Sequence, residues 1–214
     1  MSPARCAVLI TGFGPFPGVP RNVSALLAKQ VGDEIRQRFP SSDIATAALP
    51  TEWDIAPERV VDLICELRPT LALHFGVSDI AQGFVIETIA RNQAARLDAS
   101  GTLPLLPVIE PFGPDEMPTM LPAGRIWARL QRLGLPARLS RDAGTYLCNA
   151  VFYRSVLAQR ELGMGGRSGF VHLPVGITST PGPDAGLAGQ RAARLTFERA
   201  KQGGVEIVAA CLNH

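Results

Sequence analysis

The residue in this chain best placed to do chemistry is Cys148, within "SRDAGTYLCNAVFYRSVLAQ" (140–159). Gly144 is unfriendly to helix and Thr145 is a good N-cap, so the pattern predicts a helix capped by Thr145 with Cys148 in its first turn. Unpaired N–H groups and the positive end of the helix dipole favour a thiolate there, and the same N–H groups could hold an oxyanion. Such a thiolate would be a nucleophile. The competing reading is an inert packed thiol, because free cysteine is a common core residue.

A nucleophilic thiol needs a base within hydrogen-bond reach, and the chain has three histidines, His74, His172 and His214. His214 is the last residue, with little to fix it. His172 lies near the end of "GFVHLPV", and His74 lies before Phe75 and Gly76 at the end of "TLALHFG". Both are at strand ends, where ligand crevices form in α/β sheets, and His172 is favoured only weakly. Glu87, a lone carboxylate in the apolar run "GFVIETIARN", is the candidate to orient the imidazole; otherwise it belongs on an exposed strand face.

These segments need a scaffold that converges on one point. "CAVLITGF" reads as a buried strand, and helical spacing follows over 22–38. A strand at "IATAAL", a helix over 54–67 and a strand at "TLALHFG" come next. That alternation predicts an α/β fold: a three-layer α/β/α sandwich around a mostly parallel twisted sheet, in one domain spanning 1–214. A further strand near "GFVIETIA" leads into a stretch from Leu103 to Pro122 holding six prolines, read as a long functional loop. A short helix over 125–132, the Cys148 helix, a strand "SGFVHLPV" and a helix over 185–201 complete the pattern, with the tail "GVEIVAACL" readable as strand or helix.

Composition narrows the function classes. Hydrophobic residues make up 46% of 214, enough for one well-buried core. Lys and Arg total 21 against 19 Asp and Glu, without a basic stripe, so neither nucleic acid nor a membrane surface is indicated as a partner. The apolar N-terminal run is too short for a signal peptide or a span, which predicts a cytoplasmic protein. Cys6, Cys65, Cys148 and Cys211 are far apart, so neither a metal site nor a disulfide framework is expected.

The motifs have a familiar arrangement. "GLPARLSRDAGTYLCNAVFY" resembles the active-site cysteine segment of the pyroglutamyl peptidase I family, with Ser140, Ala143, Gly144, Tyr146, Leu147, Cys148 and Asn149 filling its pattern. "SGFVHLP" resembles the histidine segment, with His172 24 residues after Cys148, and "FVIETIARN" resembles the glutamate segment. "LITGFGPFPGVPRNVS" is similar to the opening strand and loop, in which Phe13 and Phe16 match the phenylalanines that enclose a lactam ring and Asn22 the asparagine that follows. Thr51 in "LPTEW" falls on the family threonine. "AARLD", one residue shorter than the usual stretch, resembles the segment that places Arg96 at the oxyanion hole and Leu97 in the aliphatic pocket. Two positions differ: Val77 stands where the family has glutamine, and Thr88 where a basic residue follows the glutamate.

The resemblance implies a cysteine peptidase that removes N-terminal pyroglutamyl residues from small peptides with a Cys148, His172 and Glu87 triad, through a thioester and without a cofactor. Arg96 and the Cys148 N–H would hold the oxyanion. Phe13, Phe16, Leu97, Tyr146 and Leu147 would face the lactam, with Asn22, Thr51 and Val77 beside it. The Pro-rich loop and surface apolar residues permit a dimer or tetramer, and the resemblance tilts toward self-association. The altered 77–88 region motivates a second reading, a lactam or small-peptide binding protein without turnover. A nucleoside-phosphorylase-like enzyme ranks lower, since no Gly-rich phosphate loop is recognisable.

Overall fold

The structure, a computed structural model, describes residues 7–163, 165–177 and 195–212. Eight strands and five helices are found among them: β1 (Ala7–Phe13), α1 (Ser24–Arg38), β2 (Asp43–Leu49), α2 (Ala56–Leu67), β3 (Leu71–Ser78), β4 (Phe84–Glu87), β5 (Ile89–Arg91), β6 (Glu116–Pro118), α3 (Ala123–Arg132), β7 (Ala137–Ser140), α4 (Leu147–Leu162), β8 (Arg167–Pro174) and α5 (Phe197–Leu212). Six strands form one sheet in the order β2-β1-β3-β8-β4-β7, and β5 pairs with β6 in a separate ribbon. The pairings are parallel except β4 with β8 and β5 with β6. The predicted α/β sandwich is therefore present.

Its central strands have apolar side chains on both faces, as strands covered by helices on both sides require. On one face Ile10, Leu73, Phe84, Ile86 and Val171 pack with Leu27, Val31, Ile126, Leu130, Ile207 and Val208 from α1, α3 and α5. On the other, Leu9, Phe13, Ala72 and Phe170 pack with Val60, Ile64, Val151, Phe152 and Val156 from α2 and α4. Site-bearing strand ends open onto this second face.

Several elements differ from expectation. The Pro-rich stretch contains β6, which pairs with β5 through Ile89↔Pro118, and Pro118 is tolerated because this is a short two-stranded ribbon. "ARLS" forms β7, an edge strand with one neighbour, too short and too polar to show a periodic signal. The ambiguous tail is helix, part of α5. Its glycines mark close approach: a Cβ at Gly203 would lie 2.3 Å from the Phe84 ring. The expected helix over 185–201 meets α5 only at its end, and 185–194 lie outside the described residues, as do Cys6 and His214.

Candidate active site

Two strands and one helix bring the reactive side chains together. His172 lies on β8 and Glu87 on β4, the strand that runs antiparallel beside it. Register pairs Glu87 with Phe170 and Val85 with His172, so Glu87 is the diagonal neighbour of His172 on the same sheet face. Glu87 Oε1 lies 2.8 Å from His172 Nδ1, with both residues buried. The other carboxylate oxygen, Oε2, is buried without a hydrogen-bond partner among the described residues.

Nε2 of His172 is left free of Glu87, and the half-buried Cys148 lies close enough to influence the imidazole. Burial alone would push the His172 pKa down, but Cys148 and then Glu87 outweigh it and raise the pKa to about 9. That direction favours the imidazolium form of the ring.

Cys148 reaches this position because α4 begins at Leu147, one residue later than the sequence suggested. Its N-cap is Tyr146, in extended conformation, and no side chain caps it; the expected Thr145 cap does not form. Instead Asp142 Oδ1 accepts the Gly144 N–H at 3.0 Å, and Gly144 turns the chain at φ 79°. Cys148 is then the second helical residue, with its own N–H inside the first turn and without a partner among the described residues. Gly76 makes room for the sulfur: a Cβ there would lie 3.0 Å from Sγ and 2.7 Å from the Phe170 ring.

Phe13, Phe16, Asn22, Thr51, Val77, Tyr146, Leu147 and Cys148 line one small cavity. Phe16 and Tyr146 lie 6.2 Å apart, and Trp53 meets Tyr146 edge-on at 5.8 Å. Asn22 donates to Gly14 O at 2.9 Å and accepts from Ser24 N and Oγ, which leaves one amide N–H for a ligand. Thr51 donates its hydroxyl to Pro15 O at 3.0 Å, so only its acceptor capacity remains.

Two sequence candidates are not brought into this lining. Leu97 is 60% exposed, and the exposed Arg96 guanidinium makes no hydrogen bond or ion pair among the described residues. Arg96 itself is held at φ 82°, unusual for a residue with a side chain. His74, the other candidate base, is fully buried and bonded to Thr11 and Ser155.

Two further residues shape this wall: Asn149, which the motif match named without a role, and Asp98. Asn149 binds the 91–93 backbone three times, accepting Arg91 N–H at 2.9 Å and donating to Arg91 O and Gln93 O. Asp98 accepts the N–H groups of Trp53, Ser100 and Thr102, each at 2.9 Å, which lowers its pKa despite the opposing effect of burial. The signal for Asp98 was the short Asp98-x-Ser100-x-Thr102 spacing of a polar turn. The larger cavity, about 360 Å³ and lined by Trp53, Pro57, Leu106, Ile109 and Arg154 among others, contains no cysteine or histidine.

Residues 6–184 match the family model described as pyroglutamyl peptidase. The chain belongs to the pyroglutamyl peptidase family. It is 33% identical over 185 residues to pyrrolidone-carboxylate peptidase 1 of Ralstonia nicotianae, covering 86% of this chain and 83% of that protein. It is 34% identical over 169 residues to the pyrrolidone-carboxylate peptidase of Pyrococcus furiosus, covering 78% and 80%. Among solved structures, a mutant pyrrolidone carboxyl peptidase from P. furiosus superposes with a TM-score of 0.84 at 29% identity, covering 97% of this chain and 99% of that one. The pyrrolidone carboxyl peptidase of Thermococcus litoralis gives 0.81 at 27% identity, covering 97% and 94%. Family membership and fold therefore agree with the resemblance read from the motifs.

Proposed function

We propose that this protein is a cysteine peptidase that removes N-terminal pyroglutamyl residues from small peptides, with Cys148 as nucleophile, His172 as acid and base, and Glu87 as the group that orients His172. The observation that carries this is the line Glu87, His172, Cys148 ending at a small, largely apolar cavity in a member of this family. The Cys148 sulfur attacks the pyroglutamyl carbonyl carbon, forming the C–S bond and a tetrahedral oxyanion. The Cys148 N–H at the start of α4 holds that charge, and the exposed Arg96 guanidinium, which lies outside the lining, would join it by swinging in over the bound substrate. As the intermediate collapses, the C–N bond breaks and His172 gives its proton to the departing amine. Water, deprotonated by His172, then attacks the thioester, releasing pyroglutamate and restoring the thiol.

The lining suits a flat lactam. Phe13, Phe16, Tyr146 and Leu147 offer apolar and aromatic surfaces, and Val77 keeps that wall apolar. The spare Asn22 N–H complements the lactam carbonyl, and the spare acceptor capacity of Thr51 complements the lactam N–H. Leu97 would meet the substrate from the exposed rim. No cofactor enters this scheme. The free thiols Cys65, Cys148 and Cys211 suit a reducing, cytoplasmic compartment.

Hydrolysis of a pyroglutamyl chromogenic amide tests the reading. Wild type should turn it over and lose activity on thiol alkylation, and Cys148→Ala should be inactive; robust turnover by Cys148→Ala would remove Cys148 as nucleophile.

A further inference from the structure

One row beneath the reacting atoms, the sheet carries a polar line that the proposed reaction does not use. Register places Thr11, His74 and Phe170 side by side across β1, β3 and β8, with Glu87 of the reacting set next in the row on β4. The next row up holds Gly76 beside His172. Thr11 Oγ1 lies 2.8 Å from His74 Nδ1, His74 Nε2 lies 2.7 Å from Ser155 Oγ, and Ser155 Oγ donates to Ser168 Oγ at 2.7 Å. All four residues are fully buried and come from β1, β3, α4 and β8. With Ser155 donating to Ser168, a neutral His74 satisfies the line by carrying its proton on Nε2 and accepting from Thr11.

The same helix carries the nucleophile. Cys148 and Ser155 are seven residues apart, two turns on one face, and Phe152 and Gln159 complete the stripe. Each member meets the sheet at a defined point. Cys148 sits over Gly76, Phe152 lies against Phe170 at 6.3 Å, Ser155 joins His74 and Ser168, and Gln159 donates to Pro69 O at 2.9 Å. Apolar packing alone tolerates small slides and rotations of a helix, whereas hydrogen bonds are directional and fix both. Phe170, beside His74 in register, also lies 4.8 Å from the His172 ring.

We propose that His74 and Ser155 are positioning residues: their buried line fixes α4 against β3 and β8 and thereby sets where the Cys148 sulfur stands relative to the His172 ring. This inference rests on the reading of Cys148 and His172 as the reacting pair. Burial holds the His74 pKa down at about 3, so the line keeps one protonation state across the working pH range.

The test is Ser155→Ala, with His74→Leu and His74→Gln as a pair. Steady-state kinetics, urea midpoints and the pH dependence of Cys148 alkylation by iodoacetamide are measured on each. The titratable groups facing His172 are Cys148 from α4 and Glu87 from β4, β3 offering only Gly76, and Tyr146 lies close enough to Cys148 to feel its charge. Loosening α4 weakens the contribution of Cys148 to the raised His172 pKa, so in Ser155→Ala the inflection that His172 imposes on the profile moves down from about 9. We expect kcat to fall at least tenfold with KM within twofold in a protein that is still folded by its urea midpoint. His74→Gln, which keeps a donor and acceptor toward Ser155, should recover part of the loss seen in His74→Leu.

Unchanged kcat and an unchanged alkylation profile in Ser155→Ala, with only a lower urea midpoint, would overturn the proposal by leaving the line a purely structural role. Ser155→Ala decides the matter if His74→Leu does not fold. Alkylation reads the geometry without turnover. A wild type that hydrolyses no pyroglutamyl amide would therefore sink the functional reading, while the positioning claim is still decided by the alkylation profile.

Discussion

Gly76→Ala is the substitution whose effect follows most directly from the site geometry. The new methyl would lie 2.7 Å from the Phe170 ring tip and 3.0 Å from Cys148 Sγ, where ordinary contact begins near 3.4 Å. Relief requires the ring to move by about 0.7 Å and the sulfur by about 0.4 Å, unless β3 itself shifts away from α4. Phe170 has little freedom, being fully buried between Phe13, Phe152, His74 and His172. A misplacement of about 1 Å costs on the order of 100-fold in rate, so the smaller sulfur shift corresponds to about tenfold in kcat, or ~1.4 kcal/mol of barrier. Overpacking adds a stability loss of about 1–3 kcal/mol. The assay is hydrolysis of a pyroglutamyl amide, with chemical denaturation run alongside to exclude unfolding as the cause. A Gly76→Ala protein with wild-type kcat would refute the claim that Gly76 makes room for the reacting sulfur.

Glu87→Gln keeps the size of the side chain and removes its charge, so His172 loses its orienting partner; kcat should fall by about 100-fold or more, and a loss of less than threefold would exclude Glu87 from the mechanism. Because the folded His172 pKa is raised to about 9, the imidazolium and the stability it contributes are fully present below about 6.5 and disappear as pH climbs through 9. A pH series of urea midpoints should show that decline in wild type and a weaker one, shifted to lower pH, in Cys148→Ala; identical series would contradict the coupling. Arg96→Gly should gain about 1 kcal/mol of stability by relieving the left-handed backbone, while Arg96→Ala gains none. Both should lose at least tenfold in kcat, and full kcat in either would take Arg96 out of the oxyanion site.

The parts of this molecule legible in the sequence were those with strong local signals. β1, α1, α2 and β3 announced themselves through buried apolar runs and helical spacing, and Cys148 through its place beyond a glycine turn. β7 was not legible, because four residues with exposed Arg138 and Leu139 carry no period and are fixed by β4 alongside and by Trp127 and Gln131 of α3, which donate to Ala137 O. The tail of α5 was readable as strand or helix because its short apolar run does not separate the two, and the close approach of Gly203 to Phe84 and of Gly204 to Val31 that favours the helix is a tertiary feature. Thr145 looked like a cap by type, but the Gly144 turn delivers Tyr146 to that position instead. Within the site, the choice between His74 and His172 was out of reach of spacing. It depends on β4 running antiparallel beside β8, which sets Glu87 diagonally across from His172, and on α4 directing Ser155 to His74. Leu97 and Arg96 followed from motif alignment alone, and the chain there leaves both exposed.

Whether the Cys148 sulfur is acylated during turnover is read by acid-quenching the enzyme with a pyroglutamyl amide during turnover and locating the acyl group by peptide mass mapping. A pyroglutamyl thioester is expected on the peptide containing Cys148, absent from Cys148→Ala and accumulating in variants slowed at the water step. Turnover with the acyl group on a different residue, or undiminished turnover in Cys148→Ala, would contradict it.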